Sequence, residues 1–181
     1  MKIDLATSRL SGVEYYLSPH CDDRPRGTVP DTIIIHGISL PPGEFGGDAI
    51  RNFFCGKLDY AAHPYFESIA TLKVSSHLLI KRDGSIIQFV PFEKRAWHAG
   101  KSFFDGRENC NDFSIGIELE GTDDCPYEKI QYEQLARVIQ LLIKNYPAIT
   151  RERIVGHSDI APGRKTDPGP SFDWVFLDTL L

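Results

Sequence analysis

Six histidines punctuate the chain: His20, His36, His63, His77, His98 and His157. Two stand at the ends of stretches that read as β-strands. His36 follows Thr32-Ile33-Ile34-Ile35, and His157 follows Arg153-Ile154-Val155-Gly156. Asp167 comes ten residues after His157, within Lys165-Thr166-Asp167-Pro168-Gly169-Pro170. Two imidazoles and a carboxylate suit a hydrolytic zinc site, because they leave a fourth tetrahedral position for water. Spacing does not decide the matter. There is no HExxH, and a lone histidine at a strand end is more often a hydrogen-bonded core residue, so both readings stand.

The stretch Phe113 to Glu120 adds a second line of chemistry. Phe113, Ile115, Ile117 and Leu119 alternate onto one strand face, and Ser114, Gly116, Glu118 and Glu120 onto the other. The first face is core. The second begins with small residues, which leave room for a ligand, and ends in carboxylates, of which Glu118 can move a proton. A solvated sheet face would carry the same residues. Lys165 lies two residues before Asp167, so an extended chain points both side chains into one cleft. Trp97-His98 has the makings of a cleft edge with a stacking ring and a donor, or of an ordinary buried tryptophan. His77, among serines and Leu78, reads as an interior histidine. Gly43 to Gly47 is no phosphate loop, for no GK[ST] follows it.

These residues need a scaffold, and the pattern supplies one. The run from Thr32 to His36 reads as a buried strand leading into a Gly/Pro-rich loop over 37–47. Asp48 is placed to cap a short helix ending near Gly56. Ser76–Lys81 and Ser85–Val90 read as a hairpin across Asp83-Gly84. Glu128 to Tyr146 has helical periodicity, with Ile130, Leu135, Val138, Leu142 and Tyr146 on one face and Pro147 stopping it. Arg153–Gly156 reads as a last strand, and Ser171 as the cap of a C-terminal helix. Strands interspersed with helices, one pair of strands in a hairpin, predict an α/β fold with a central mixed β-sheet flanked by helices.

Bulk properties bound the function. The chain has 181 residues and no repeat or linker, so a single domain over 1–181 is expected. It is 41% apolar and 25% charged, ordinary for a globular protein, and its formal charge of −5 disfavours nucleic acid or an anionic membrane as partner. Residues 1–10 show no export signal, and no apolar run can span a bilayer. Cys21, Cys55, Cys110 and Cys125 have no CxxC spacing, so reduced thiols in a cytoplasmic protein are expected.

Three long stretches carry a resemblance: Ser39-Leu40-Pro41-Pro42-Gly43-Glu44-Phe45-Gly46-Gly47, Cys110 to Gly121, and Arg164 to Pro170. Through them the chain resembles the amidase-2 superfamily of zinc N-acetylmuramoyl-L-alanine amidases, which includes T7-type lysozyme and the peptidoglycan recognition proteins. It most resembles the cytosolic branch that acts on 1,6-anhydro-N-acetylmuramyl-L-alanine. The likeness runs from Ser18-Pro19-His20 to Phe172-Asp173-Trp174. It implies one zinc per chain on His36, His157 and Asp167, in a groove on one side of the sheet. Glu118 is then the acid/base residue and Lys165 a catalytic cation. The substrate implied is a muropeptide from cytosolic peptidoglycan recycling, a pool that in several bacteria also signals β-lactamase induction. A monomer is expected.

Three positions depart from that branch: Gly37 stands where it has Asn, and Lys73 and Asn109 where it has Arg. The last two are expected to meet the peptide's carboxylates. Lys keeps a charge without the bidentate fork, and Asn keeps only a neutral donor, so Arg107 or Lys101 is a candidate to supply charge. Lys73, Trp97, His98, Arg107 and Asn109 are therefore the expected substrate-binding residues. Two other functions are open to such a sequence, an endolysin-type amidase on intact peptidoglycan and a non-catalytic peptidoglycan-binding module.

Overall fold

A computed structural model describes residues 1–181. Six strands form its main sheet: β1 (Glu14–Tyr15), β2 (Thr32–Ile38), β3 (Leu78–Ile80), β4 (Ile86–Gln88), β5 (Ser114–Glu120) and β6 (Ile154–Gly156). Their order is β6-β2-β5-β3-β4-β1. The pairings β6–β2, β2–β5, β5–β3 and β4–β1 are parallel, and the β3–β4 hairpin is antiparallel. The expected mixed sheet is thus present. Both central strands are buried along most of their length, which explains the dense Ile/Leu content of β2 and β5.

Helices cover both faces. On one face, α3 (Lys129–Asn145) and α5 (Trp174–Leu180) pack Leu135, Val138, Ile139, Leu142 and Leu177 onto Ile33, Ile35, Ile115, Ile117 and Leu119. Gln131 is fully buried and fastens the start of α3 to the sheet. Its amide nitrogen donates to the carbonyls of Ile80 and Glu120, each at 3.1 Å.

The opposite face carries two separate apolar clusters. One joins α1 (Ala49–Phe54) and α2 (Pro64–Ser68) to Leu79, Ile87 and Phe89. The other joins Ile34 to Ala99, Cys110, Phe113, Ile160 and Ala161. Neither cluster includes His36 or Glu118, which the β2–β5 register sets side by side.

Local departures from the sequence reading have physical causes. β2 does not end at His36 but runs to Ile38, because β5 pairs with it as far as Glu120. The cap of α5 is Asp173, whose carboxylate accepts the Phe176 N–H at 2.8 Å, rather than Ser171. Asp48 flanks α1 but pairs with the Arg51 side chain at 2.7 Å and caps nothing. The four cysteines are unpaired. No helix is long and apolar enough to cross a membrane.

Candidate metal centre and active-site cleft

Three elements deliver three side chains to one point. His36 comes from the last third of β2, and His157 opens α4 (His157–Ile160) directly after β6. Asp167 comes from the loop after α4, where its own carbonyl accepts the Ser158 N–H at 2.9 Å and so holds the loop against the helix. His36 Nδ1 lies 2.9 Å from His157 Nδ1, Asp167 Oδ2 lies 3.0 Å from His157 Nδ1, and His36 Nδ1 lies 3.2 Å from Asp167 Oδ2. Four ligands at zinc bond lengths of about 2.0–2.1 Å stand roughly 3.3 Å apart, so the triangle has the size of one tetrahedral face.

The donor set fits a cation for a second reason. His157 Nε2 faces the Ala99 carbonyl at 3.2 Å, and a carbonyl can only accept. The proton of neutral His157 is therefore on Nε2, and its Nδ1 turns a lone pair toward the Asp167 carboxylate. A proton or a metal ion must lie between them. Burial alone would raise the Asp167 carboxyl, but the imidazoles of His157 and His36 outweigh it and hold the group well below the usual carboxylate range. Burial lowers His36 to a pKa of about 4, against the pull of Asp167, so near neutral pH its imidazole is uncharged.

Glu118 stands beside His36, buried, with Oε2 touching no hydrogen-bond donor. Burial pushes its carboxyl well above the ordinary value, and the Asp167 charge pushes the same way, with the Lys165 ammonium opposing both. A raised pKa makes its carboxylate a stronger proton acceptor, which suits a group that takes a proton from water and passes it on. Lys165 is exposed in the loop before Asp167. A cleft of about 600 Å³ is lined by His36, Glu118, His157, Lys165 and Asp167 together, with an apolar wall that includes Leu40, Tyr65 and Leu72.

The expected substrate-binding residues scatter. His98 lines the floor of the cleft but is buried and hydrogen-bonded to His36 at 2.9 Å. Lys73 is exposed between Leu72 and Val74, which line the cleft. Trp97 lies outside the lining: its ring parallels His20, and its indole N–H donates to Asp22 at 3.1 Å. Arg107 is engaged bidentately with Asp31 at 2.9 and 3.0 Å and lies over the Phe113 ring, which leaves it unsuited to supply charge to the cleft. Asn109 and Lys101 line a separate hollow of about 510 Å³, which shares Arg164 with the cleft.

One sequence inference needs correction, and one alternative to it also fails. The space over Ser114 and Gly116 does not admit a ligand, because the His98 ring fills it. A Cβ on Gly116 would stand 2.5 Å from the ring's Cγ and Nδ1. Glu120 faces no solvent. Its two carboxylate oxygens accept the backbone N–H groups of Gly46 (2.6 Å) and Arg82 (3.1 Å), which pins the 37–47 loop to the sheet.

Two residues escaped sequence reading. Arg164 donates to the Ala99 and Lys101 carbonyls at 2.6 and 2.7 Å, and the first of these is the carbonyl that His157 uses. Tyr127 donates its hydroxyl to the Pro168 carbonyl at 3.0 Å. The space it takes explains Gly37, where a Cβ would fall 2.2 Å from the Tyr127 hydroxyl. No local pattern announces either contact. His77 is the interior histidine expected, accepting the Gly116 N–H at Nδ1 (3.0 Å) and lying 3.0 Å from the Lys94 carbonyl at Nε2.

The family model described as N-acetylmuramoyl-L-alanine amidase, Amidase_2, matches residues 26–170. The chain belongs to the Amidase_2 family. Among relatives of this family, the 1,6-anhydro-N-acetylmuramyl-L-alanine amidase AmpD of Enterobacter cloacae is 61% identical over 164 residues, 91% of this chain and 87% of the relative. A crystal structure of a selenomethionine AmpD derivative superposes with a TM-score of 0.96 at 56% identity, covering 100% of this chain and 99% of the other. The Escherichia coli amidase AmiD, solved with anhydro-N-acetylmuramic acid-L-Ala-D-γ-Glu-L-Lys, gives a TM-score of 0.61 at 31% identity over 87% of this chain and 60% of its own. The chain is thus an N-acetylmuramoyl-L-alanine amidase of the AmpD type.

Proposed function

We propose that this amidase hydrolyses the amide between 1,6-anhydro-N-acetylmuramic acid and L-alanine in soluble muropeptides, using one zinc ion per chain. The convergence of His36 Nδ1, His157 Nδ1 and Asp167 Oδ2 within 3.2 Å of one another carries the metal assignment. When bound, zinc supplies Lewis acidity and a water of lowered pKa. Glu118, with a free buried oxygen and a raised pKa, accepts the proton of the attacking water and delivers it to the leaving alanine nitrogen. Lys165, lining the same cleft, stabilises the negative charge that grows on the former lactyl carbonyl oxygen. The apolar wall around Leu40 and Leu72 gives the sugar or lactyl group a surface, with Lys73 at its edge toward the peptide.

The reading takes residues 1–181 as one amidase domain, monomeric and cytoplasmic, serving peptidoglycan recycling. The soluble substrate is supported by the 61% identity to the 1,6-anhydro-N-acetylmuramyl-L-alanine amidase AmpD over 91% of the chain. The test is to compare zinc-loaded protein on anhydro-muropeptides and on intact sacculi. A strong preference for the soluble substrate is expected. Equal rates on both would favour a wall-degrading endolysin instead, and zinc uptake without any cleavage a binding module.

A further inference from the structure

A metal-binding histidine is oriented by whatever its second nitrogen touches, usually a carboxylate, a carbonyl or water. His157 follows that rule through the Ala99 carbonyl. His36 does not. Its Nε2 faces His98 Nδ1 at 2.9 Å, and an imidazole nitrogen can donate or accept. Taken alone, that contact leaves open whether the lone pair of His36 points at the metal position or away from it.

The remaining contacts of His98 settle the direction. Its Nε2 stands 3.3 Å from the Ser114 hydroxyl oxygen, which stands 2.5 Å from the Cys110 carbonyl. The carbonyl cannot donate, so the serine hydrogen points to it and Ser114 Oγ is left as acceptor. His98 therefore donates from Nε2 and accepts at Nδ1, His36 donates from Nε2, and the lone pair of His36 Nδ1 faces His157 and Asp167. The ring is seated against the bare Cα of Gly116, in the space a Cβ there would fill. The turn carrying Cys110 and Ser114 is itself held by Arg24, whose guanidinium donates to the Asn111, Asp112 and Ser114 carbonyls at 3.1, 2.9 and 2.8 Å.

From this chain of contacts we infer that His98 is a positioning residue for the metal centre: Cys110, Ser114 and His98 form a one-way hydrogen-bond relay that fixes the tautomer of His36. The inference rests on the zinc reading above, and it assigns His98 to the metal side of the cleft instead of to the substrate.

Two readouts test it without relying on turnover. Zinc affinity is measured by chelator competition in wild type, His98→Ala, His98→Asn and Ser114→Ala. The His36 tautomer is read from imidazole ¹⁵N shifts in metal-free protein at mildly alkaline pH. Wild type is expected to show a protonated Nε2 and a bare Nδ1 at His36. His98→Ala should mix the tautomers and weaken zinc by roughly 10–100-fold, the usual cost of losing an outer partner. Asparagine places an oxygen near the position of Nδ1, so His98→Asn should recover part of that loss. If His98→Ala does not fold, Ser114→Ala carries the same test, since it frees the His98 ring to take either tautomer. A wild-type tautomer in His98→Ala, with zinc affinity unchanged and only KM raised, would overturn the relay and return His98 to the substrate. Wild-type protein that takes up no zinc would instead refute the metal reading, while the tautomer measurement still decides the relay.

Discussion

Replacing Gly116 by alanine probes the packing beneath the metal centre, and the structure fixes the size of the effect. The added methyl would lie 2.5 Å from Cγ and Nδ1 of His98 and 2.7 Å from Cδ2, about an ångström inside van der Waals contact. These atoms belong to a rigid buried ring, so the clash cannot be relieved by a flexible side-chain end. Overpacking of this kind costs ~1–3 kcal/mol. If the ring shifts, its hydrogen bonds to His36 and Ser114 weaken, at ~0.5–1.5 kcal/mol each. The sum is about 2–6 kcal/mol, which for a chain of this length is a fall in Tm of roughly 4–24 °C. Urea unfolding of metal-free protein measures it, and the Gly116→Ala/His98→Ala pair completes a double-mutant cycle. The double mutant should be less destabilised than the sum of the singles by at least about 1 kcal/mol, because the methyl then enters vacated space. A Gly116→Ala protein within about 0.5 kcal/mol of wild type, the range of ordinary surface changes, would refute the packing argument.

His36→Ala, His157→Ala and Asp167→Ala should each take up far less than one equivalent of zinc by atomic absorption, since three ligands leave little redundancy; full occupancy in any of them removes that residue from the set. Glu118→Gln should keep its zinc and lose ~10²–10⁴ in kcat, and a near-normal kcat would shift the proton transfer to another group. The same substitution has a pH signature in metal-free protein. Burial first, and then the Asp167 charge, raise the folded pKa of Glu118. Its contribution to stability is therefore complete below the unfolded pKa and is lost as pH rises through the folded one. The Tm of Glu118→Gln should accordingly gain on wild type between acid and neutral pH, and a flat or opposite difference would show that the folded pKa of Glu118 is not raised. Lys165→Ala should retain zinc and Tm while kcat falls by roughly 10²–10³, as for loss of an oxyanion donor; a loss below about threefold in kcat would leave the oxyanion to zinc.

What the sequence disclosed follows from the range of the interactions involved. Alternation identified Ile115, Ile117 and Leu119 as one core face of β5, because a strand's period is local, but Phe113, grouped with them by the same pattern, precedes the strand and packs in the opposite cluster. The same alternation could not say what occupies the small-residue face, since His98 arrives there from a separate segment of chain. The convergence of His36, His157 and Asp167 was suggested by residue type and supplied by topology: β2 and β6 are adjacent and parallel, so their C-terminal ends lie together. Charged residues misled where pairing was tertiary. Arg107 reads as a free cation until Asp31, 76 residues away, is seen beside it. The solvated-face alternative for Glu120 falls only when Gly46 and Arg82 are found on its oxygens. Caps failed by a small margin for a similar reason, as Ser171 and Asp173 are equally good on paper and only the chain path selects Asp173.

The central claim is a bond, and mass spectrometry of the products tests it most directly. Zinc-loaded protein is incubated with a defined 1,6-anhydro-N-acetylmuramyl peptide in ¹⁸O-labelled water. The account predicts two products, an intact stem peptide with a free L-alanine amine and an anhydro-muramic acid whose lactyl carboxylate carries the label. Cleavage within the peptide, label in the peptide fragment, or intact substrate with zinc bound would contradict it.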